Sequence, residues 1–230
     1  MRMRKKKNLE SRLADCKNRL IIIDIDREDR NFNNAAIFRD YIDFGGYFER
    51  EAPLHLEIGC GKGQFACEIA RQNPDINFIA VEKSANVIVS ACEKAIDMGL
   101  KNLVFMKCSA EYLNSYIPDN LIERIYLNFS CPFPKKKYAS HRLTAAAFLK
   151  IYKRLLTANA EIHMKTDNMG LFEFSIEQLS QNGFAIKNIS LDLHNSGFEG
   201  NIVTEYESKF VSLGLPIYRL EAYIKEDYCD

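Results

Sequence analysis

One segment limits the fold of this chain more than any other. Residues 54–63 read LHLEIGCGKG, an apolar stretch that runs into three closely spaced glycines. Glycines allow backbone conformations that a β-carbon forbids, so main-chain atoms can approach a ligand at the carboxyl end of a strand. The spacing matches neither the dinucleotide fingerprint G-x-G-x-x-G nor the phosphate-binding loop G-x-x-x-x-G-K-[ST]. The segment predicts a strand, a turn and a helix that hold another nucleotide-type ligand, or a glycine turn without a ligand.

Two acidic residues at predicted strand ends narrow the ligand class. Glu57 lies just before the glycines, and Glu82 ends the next predicted strand, residues 77–82. A carboxylate attracts an ammonium or sulfonium group and repels a pyrophosphate, so S-adenosylmethionine fits this turn. In doubly wound sheets an acid about 20 positions beyond the turn binds the ribose hydroxyls, which is the role we predict for Glu82. The alternative is an ordinary acidic residue at a helix start.

Composition limits the class of protein and its compartment. With 230 residues, 47% hydrophobic and 27% charged, the chain can bury one substantial core. Its apolar runs fall short of the roughly 20 residues of a membrane helix, and polar residues follow the basic start where a signal peptide would be apolar. Seven scattered cysteines without a C-x-x-C pair are typical of free thiols. We therefore expect a cytoplasmic protein without membrane or metal, either a monomer or a homodimer.

Alternating patterns predict the architecture. Predicted strands at residues 54–58, 77–82, 103–106, 121–128 and 160–166 are separated by helical stripes, and further strands are expected near residues 184–191 and 217–224. One stripe comprises Val87, Ala91, Ala95 and Met98, and another ends with Leu155 and Leu156. This order predicts a three-layer α/β/α sandwich, Rossmann-like, with a mostly parallel sheet. We expect residues 1–53 to form a basic arm with a short helix and loops, and residues 54–230 to form the catalytic domain.

Ligands of open α/β sheets bind at the carboxyl ends of the strands. Five segments are predicted to meet there and to line one cleft: the turn after Glu57, Glu82, and residues 108–110, 128–137 and 165–168.

Positive charge and aromatic residues are concentrated in two places. Residues 128–137 read NFSCPFPKKK, and five of the first seven residues are cationic, although the chain contains 31 basic and 31 acidic residues. Aromatic rings stack on bases and fixed cations attract phosphates, so both clusters favour a nucleic-acid partner. The alternative is a solvated loop and a disordered terminus.

On these motifs the chain resembles the bacterial tRNA (guanine-N7)-methyltransferases, which methylate a guanosine in the variable loop. The resemblance is carried by residues 1–7, 57–63, 124–129, 142–144, 165–168, 204–207 and 216–219. It implies a class I S-adenosylmethionine-dependent methyltransferase with tRNA as partner. It assigns cofactor binding to Glu57, Gly59, Gly61, Glu82 and Ser109, and guanosine binding to Lys135, Asp167, Thr204, Glu205, Tyr206 and Glu207. Thr204 and Glu207 also have the spacing of a capping box at a helix start.

Two positions depart from the family pattern. Cys131 stands at the family's catalytic aspartate, and Ser109 stands where an acid or amide is common. A thiol is a weak acceptor, but guanine N7 already carries a lone pair and needs no proton removed, so positioning should dominate the rate. We expect reduced rather than abolished activity, with Asp167 taking part of the orienting role. The alternatives are a catalytically impaired tRNA- and cofactor-binding protein, and a methyltransferase for a small molecule or protein.

Overall fold

The computed structural model describes residues 5–23 and 38–225. The chain has an α/β fold with a mostly parallel sheet flanked by helices, as predicted. It divides into two compact units, Met1–Pro118 and Asp119–Asp230. Within the described ranges, no helix is both long and apolar enough to cross a membrane.

The first unit contains four parallel strands in the order β1-β4-β3-β2. In chain order its elements are α1 (Leu9–Asp15), β1 (Leu20–Ile22), β2 (Leu54–Ile58), α2 (Gln64–Gln72), β3 (Asn77–Val81), α3 (Ala85–Asp97), β4 (Leu103–Lys107) and α4 (Leu113–Tyr116). Every residue of β2 and β3 is buried, as in parallel strands that are covered on both faces. The strands predicted from residue 54 onward in this unit are confirmed.

The segment before residue 54 contains a strand that the sequence did not predict. β1 pairs in parallel with β4, and the N–H of Phe105 donates to the carbonyl of Arg19 at 2.7 Å. A three-residue strand is too short to show a periodic pattern, which is why only a helix and loops were expected. Residues 1–4 and 24–37 of the predicted arm lie outside the described residues. The boundary at residue 53 stays a prediction.

The inner face of α3 is rotated from the predicted stripe. Its buried positions are Ile88, Val89, Ala91, Cys92 and Ala95, whereas Val87 is half-buried and Met98 is 37% exposed. Assigning Met98 to the inner face was therefore wrong. The helix ends before Gly99 at φ +66°, as predicted.

The second unit combines parallel and antiparallel pairing in the strand order β5-β6-β8-β7. Its elements are β5 (Ile122–Asn128), α5 (Ala146–Leu155), β6 (Leu156–Thr166), α6 (Met169–Gln181), β7 (Phe184–Ser190), α7 (Glu205–Ser212) and β8 (Tyr218–Ile224). β5 and β6 are parallel, while β8 runs antiparallel to both β6 and β7. Leu156 was predicted to lie on the helical stripe but begins β6, since the strand follows α5 without a loop.

Candidate functional site

The glycine turn between β2 and α2 has the predicted backbone geometry. Gly59, Gly61 and Gly63 have φ values of +84°, +58° and +73°, a region that strongly favours glycine. The N–H of Gly59 donates to the carbonyl of Val81 at 2.8 Å, which ties the turn to the end of β3. A β-carbon added at Gly59 or Gly61 would meet open space, whereas one at Gly63 would lie 2.6 Å from the β-carbon of Ala91. The first two glycines thus leave a cradle that side chains would fill, and the third permits close helix packing.

Two carboxylates lie beside this turn. Burial raises the pKa of the Cys60 thiol well above its usual value, and the charges of Glu57 and Glu82 raise it further. Glu57 is buried, and a carboxylate oxygen of Glu82 accepts a hydrogen bond from the N–H of Ser84 at 2.9 Å. Glu82 therefore has the helix-start geometry that was the alternative interpretation, and its ribose-binding role stays a prediction.

The end of β4 brings a third carboxylate to the same sheet edge. The hydroxyl of Ser109 donates to the carboxylate of Glu111. Burial, together with the charge of Glu111, raises the pKa of Cys108 to about 12. Sequence reasoning noted Ser109 and missed Glu111. Glu111 lies in the first turn of the short helical segment Ala110–Tyr112, where acidic residues are favoured, and this was the signal that could have found it.

The residues of the first unit fit a cationic nucleoside such as S-adenosylmethionine. β2, β3 and β4 are neighbouring parallel strands. Glu57 and Glu82 lie at the carboxyl ends of β2 and β3, and Glu111 lies in the short helical turn that follows β4. Carboxylates can accept hydrogen bonds from hydroxyl and amino groups and attract a sulfonium. The open cradle at Gly59 and Gly61 gives main-chain access beside them.

In the second unit, the loop that follows β5 is held by one arginine. The guanidinium of Arg142 donates to the carbonyls of Pro132 and Phe133 at 2.9 and 3.1 Å. The same guanidinium lies 4.4 Å from the ring centroid of Phe174 in α6. Phe133 has φ +40°, which is unfavourable for a residue with a β-carbon. Arg142 thus fixes a loop whose own backbone is strained.

This loop presents Cys131, aromatic rings and lysines. Cys131 and Lys135 are exposed, as are the two lysines that follow. The ring of His141 lies 5.6 Å from that of Phe133, and the ammonium of Lys137 lies 5.0 Å from the centroid of Tyr138. The combination of aromatic surface and cations predicted for this loop is present.

A buried ion pair holds the end of β6 against α7. The ammonium of Lys165 donates to Glu207 at 2.8 Å, and the Glu207 side chain is completely buried. Lys165 also donates to the carbonyl of Ile202 at 3.0 Å, and Glu207 accepts a bond from Asn201 at 2.7 Å. This network positions Tyr206, which precedes Glu207, and Asp167, which lies two residues after Lys165.

The predicted capping box is half formed. The hydroxyl of Thr204 accepts a hydrogen bond from the N–H of Glu207 at 3.1 Å at the start of α7. The carboxylate of Glu207 is turned instead to Lys165, Asn201 and His194. Glu207 therefore positions its segment from a buried site, while Glu205 and Tyr206 are exposed.

Three predicted site residues come together in the second unit. Burial raises the pKa of Tyr206, and the charges of Asp167 and Cys131 raise it further. The ring of Tyr206 is half exposed and lies between Phe129, at 5.2 Å, and Phe210, at 4.8 Å. The arrangement offers a carboxylate beside an aromatic surface.

A charged cluster on the same strands was not predicted. Glu161, His163 and Glu221 place ligand atoms within 4.8 Å of one another, a spacing that could suit a metal. Lys187 donates to Glu161, Arg219 donates to Glu221, and Arg124 lies 3.2 Å from Glu161. These cations balance the two carboxylates, so the group forms an ion-pair network.

Comparisons with known proteins agree with this architecture. A family model described as "Putative methyltransferase" matches residues 51–220. A tRNA (guanine-N(7)-)-methyltransferase from Bacillus cytotoxicus is 49% identical over 76% of this chain and 81% of its own length. The protein of the same name from Geobacillus kaustophilus is 47% identical over 76% of this chain and 81% of its own length.

Solved structures show the fold. The 16S rRNA methyltransferase KamB matches 81% of this chain and 95% of its own, with a TM-score of 0.60 and 14% identity. A SAM-dependent methyltransferase from Aquifex aeolicus matches 76% of this chain and 84% of its own, with a TM-score of 0.54 and 16% identity. With the sequence relatives, these matches place the chain in the tRNA (guanine-N7)-methyltransferase family, which has the class I S-adenosylmethionine-dependent methyltransferase fold.

Proposed function

We propose that this protein methylates N7 of a guanosine in the variable loop of tRNA, in the cytoplasm, with S-adenosylmethionine as cofactor. The relatives that carry this activity in their name are 47–49% identical over 76% of the chain. The structural observation that carries the proposal is the contact of the Tyr206 ring with Phe129, at 5.2 Å, at the start of the loop that carries Cys131 and the lysines, with the charge of Asp167 acting on Tyr206. A carboxylate, an aromatic ring and nearby cations suit a base with hydrogen-bond donors on a phosphate backbone.

The first unit would hold the cofactor. S-adenosylmethionine supplies a methyl group on a sulfonium centre when it is bound. Glu57 and Glu82 would attract its positive charge and accept hydrogen bonds from its hydroxyl or amino groups. Gly59 and Gly61 would admit it to the main chain, because their open cradle contains no side chain.

The second unit would hold and orient the guanosine. Asp167 would accept hydrogen bonds from the donor edge of guanine, and Tyr206 would stack on the base. Lys135 and its neighbours would contact phosphates. These residues need only fix the direction of the N7 lone pair, because no proton has to be removed from it.

The presence of a cysteine at position 131 favours a second candidate function. This thiol is exposed at the position of the family's catalytic aspartate and cannot accept hydrogen bonds as a carboxylate does. The chain could therefore be a tRNA- and cofactor-binding protein with impaired catalysis. We favour the enzyme, since the charge of Asp167 acts on the same tyrosine as that of Cys131, so Asp167 can supply the carboxylate, and since relatives of 47–49% identity carry this activity in their name.

Transfer of a labelled methyl group to unmodified tRNA transcripts tests the proposal. We expect label at N7 of guanine, and none in a transcript whose variable-loop guanosine is replaced by adenosine. Asp167→Asn should lower kcat/KM by about 10- to 150-fold, because a hydrogen bond to a charged group contributes about 1.5–3 kcal/mol. Glu173→Gln, at an exposed acid of the same unit, serves as the control.

The two candidate functions predict different results for Cys131→Asp. If the chain is an impaired binder, the protein without substitution would bind tRNA tightly but transfer no methyl group. The Cys131→Asp variant would then gain methyl transfer. An enzyme would be active in both forms. Absence of both binding and transfer would contradict both functions.

A further inference from the structure

The described part of the basic amino terminus is fixed to the first unit. The N–H of Lys6 donates to the side-chain oxygen of Asn86 at 3.0 Å, and its ammonium donates to the hydroxyl of Ser90. Arg12 in α1 makes two hydrogen bonds of 2.6 Å to Glu93. All three partners lie on α3. The lysine side chain is therefore held at a defined place on this helix.

The glycine turn also contacts α3, one position along the helix from Ser90. Gly63 packs so closely on Ala91 that an added β-carbon would lie 3.1 Å from the α-carbon of Ala91. Ala91 follows Ser90, the partner of Lys6, and Lys62 precedes Gly63. Lys62 is exposed. Two lysines that are distant in sequence are thus brought together beside the proposed cofactor turn.

The charges around these lysines are unbalanced. Arg12 is paired with Glu93, and Lys5 is paired with Glu10 at 2.7 Å. Within residues 5–23 and 38–225, no carboxylate lies within ion-pair distance of Lys6, Lys7 or Lys62. Ser90 offers Lys6 a hydrogen bond but no counter-charge.

The electrostatics agree with this geometry. Burial lowers the pKa of Lys6, and the charges of Arg12 and Lys62 lower it further against the opposing effect of Glu93. Lys6 therefore holds its charge at a partly buried place that is also affected by two further cations, Arg12 and Lys62. An anion bound beside Lys6 and Lys62 would favour their charged forms.

We propose that Lys6, Lys7 and Lys62 form a phosphate-binding surface of the first unit that contacts the backbone of the RNA substrate. The proposal rests on the proposed function, which makes RNA the polyanion concerned. The surface is additional to the lysines of the second-unit loop and lies next to the turn that would hold the methyl donor. A backbone contact here would couple RNA binding to that turn through Lys62.

The salt dependence of tRNA binding measures this surface directly. The probe is an unmodified tRNA transcript, and binding to the full chain is followed by anisotropy from 50 to 300 mM salt. Lys62→Gln and Lys6→Gln should each make the slope of log K against log salt shallower by about 0.7–0.9 if one phosphate contact is lost. The double variant, which loses two such contacts, should bind about 100-fold more weakly at 50 mM salt. Lys101→Gln, an exposed lysine of the same unit paired with Glu49, should leave the slope unchanged.

Further measurements distinguish the loss of a lysine charge from misfolding and from a loss of cofactor binding. Lys6→Arg retains the charge and should keep the parent slope, and melting curves should show that the variants remain folded. An unchanged slope in the double variant would overturn the proposal. So would weaker binding of S-adenosylmethionine by Lys62→Gln with tRNA binding intact, because Lys62 would then serve the cofactor.

The outcomes distinguish a failure of this surface from a failure of the proposed function. A shallower slope in the variants supports the surface even if the parent chain transfers no methyl group, in which case only the enzymatic proposal fails. Methyl transfer to tRNA by a parent whose slope does not respond to the lysine substitutions would overturn the surface alone.

Discussion

The two units hold their candidate site residues by different means. In the first unit, main-chain hydrogen bonds between neighbouring segments and glycines with positive φ shape the turn. In the second unit, side chains far apart in sequence do so, as in the 2.8 Å contact of Lys165 with Glu207. A site built from backbone tolerates changes of most side chains, but an added β-carbon strains its glycines with positive φ and at Gly63 also overlaps Ala91. A site built from a buried network depends on each member of that network.

Replacing Lys165 should show this difference most strongly. Lys165→Met would leave Glu207 buried without its cation, and breaking a buried pair in this way costs about 3–5 kcal/mol. We expect that loss in the free energy of unfolding measured with urea, along with loss of tRNA binding. Lys209→Gln, an exposed lysine on the same helix, should change stability by less than about 0.5 kcal/mol. A loss below 1 kcal/mol for Lys165→Met would mean that the network does not hold the second-unit site.

The same difference explains which parts of the site the sequence could predict. The turn at residues 54–63 is a local pattern, so its strand, glycines and helix follow from a single stretch of sequence. The role of Glu207 is not local. Its partner Lys165 lies on another element, and the spacing of Thr204 and Glu207 alone predicted a capping box of which only half forms.

A similar limit applies to the fold. Strands β2 to β6 were predicted because each carries an apolar run, and helices were placed by their periodicity. β1 was missed, since three residues give no period and its pairing with β4 depends on distant sequence. The antiparallel β8 could be predicted as a strand but not placed between β6 and β7, because pairing order is a property of the whole sheet.

The dependence of the first-unit turn on its backbone can be tested with glycine substitutions. Gly63→Ala would add a β-carbon 2.6 Å from that of Ala91 at a φ of +73°. Steric overlap and backbone strain together should cost about 2–4 kcal/mol of unfolding free energy. Gly99→Ala has a similar φ of +66° and open space, so it measures the strain alone, about 1 kcal/mol.

A second substitution checks that the contact with Ala91 is responsible. Ala91→Gly removes the opposing methyl group and should recover part of the loss in Gly63→Ala. Equal losses for Gly63→Ala and Gly99→Ala would show that the close approach of the turn to α3 adds nothing.

In the second unit, replacing Arg142 should lower activity because this arginine holds the loop that follows β5. Arg142→Met removes the bonds to the carbonyls of Pro132 and Phe133, and we expect kcat/KM for tRNA methylation to fall about 10- to 100-fold. Arg142→Lys should recover little, because an ammonium cannot make two parallel bonds and stack on Phe174. Arg154→Met breaks a surface pair with Asp119 in the same unit and is the control. If lysine restored full activity, charge rather than geometry would explain the effect.

The smallest expected difference concerns two glutamates with the same pKa. Hydrogen bonds from Arg71 and Gln72 lower the pKa of Glu68 to about 2. Burial alone would raise the pKa of Glu161, but hydrogen bonds from Lys187 and His163 lower it to about 2 as well. Both values lie below the ordinary 4.5, so each carboxylate stabilises the fold above that pH and loses this contribution as the pH falls from 4.5 to 2.

Salt should separate these two carboxylates. Glu68→Gln and Glu161→Gln should each flatten the dependence of unfolding free energy on pH between 4.5 and 2 at low ionic strength. The Glu68 contacts are local and on the surface, where a Debye length of about 3 Å at 1 M salt screens them, so its substitution should then have little effect. Glu161 is more buried and bound by residues of other strands, so its substitution should keep most of its effect. If 1 M salt removed the effects of both substitutions equally, the charged network of the second unit would be as exposed to solvent as a surface ion pair. The contrast between the two units would then not extend to their charged residues.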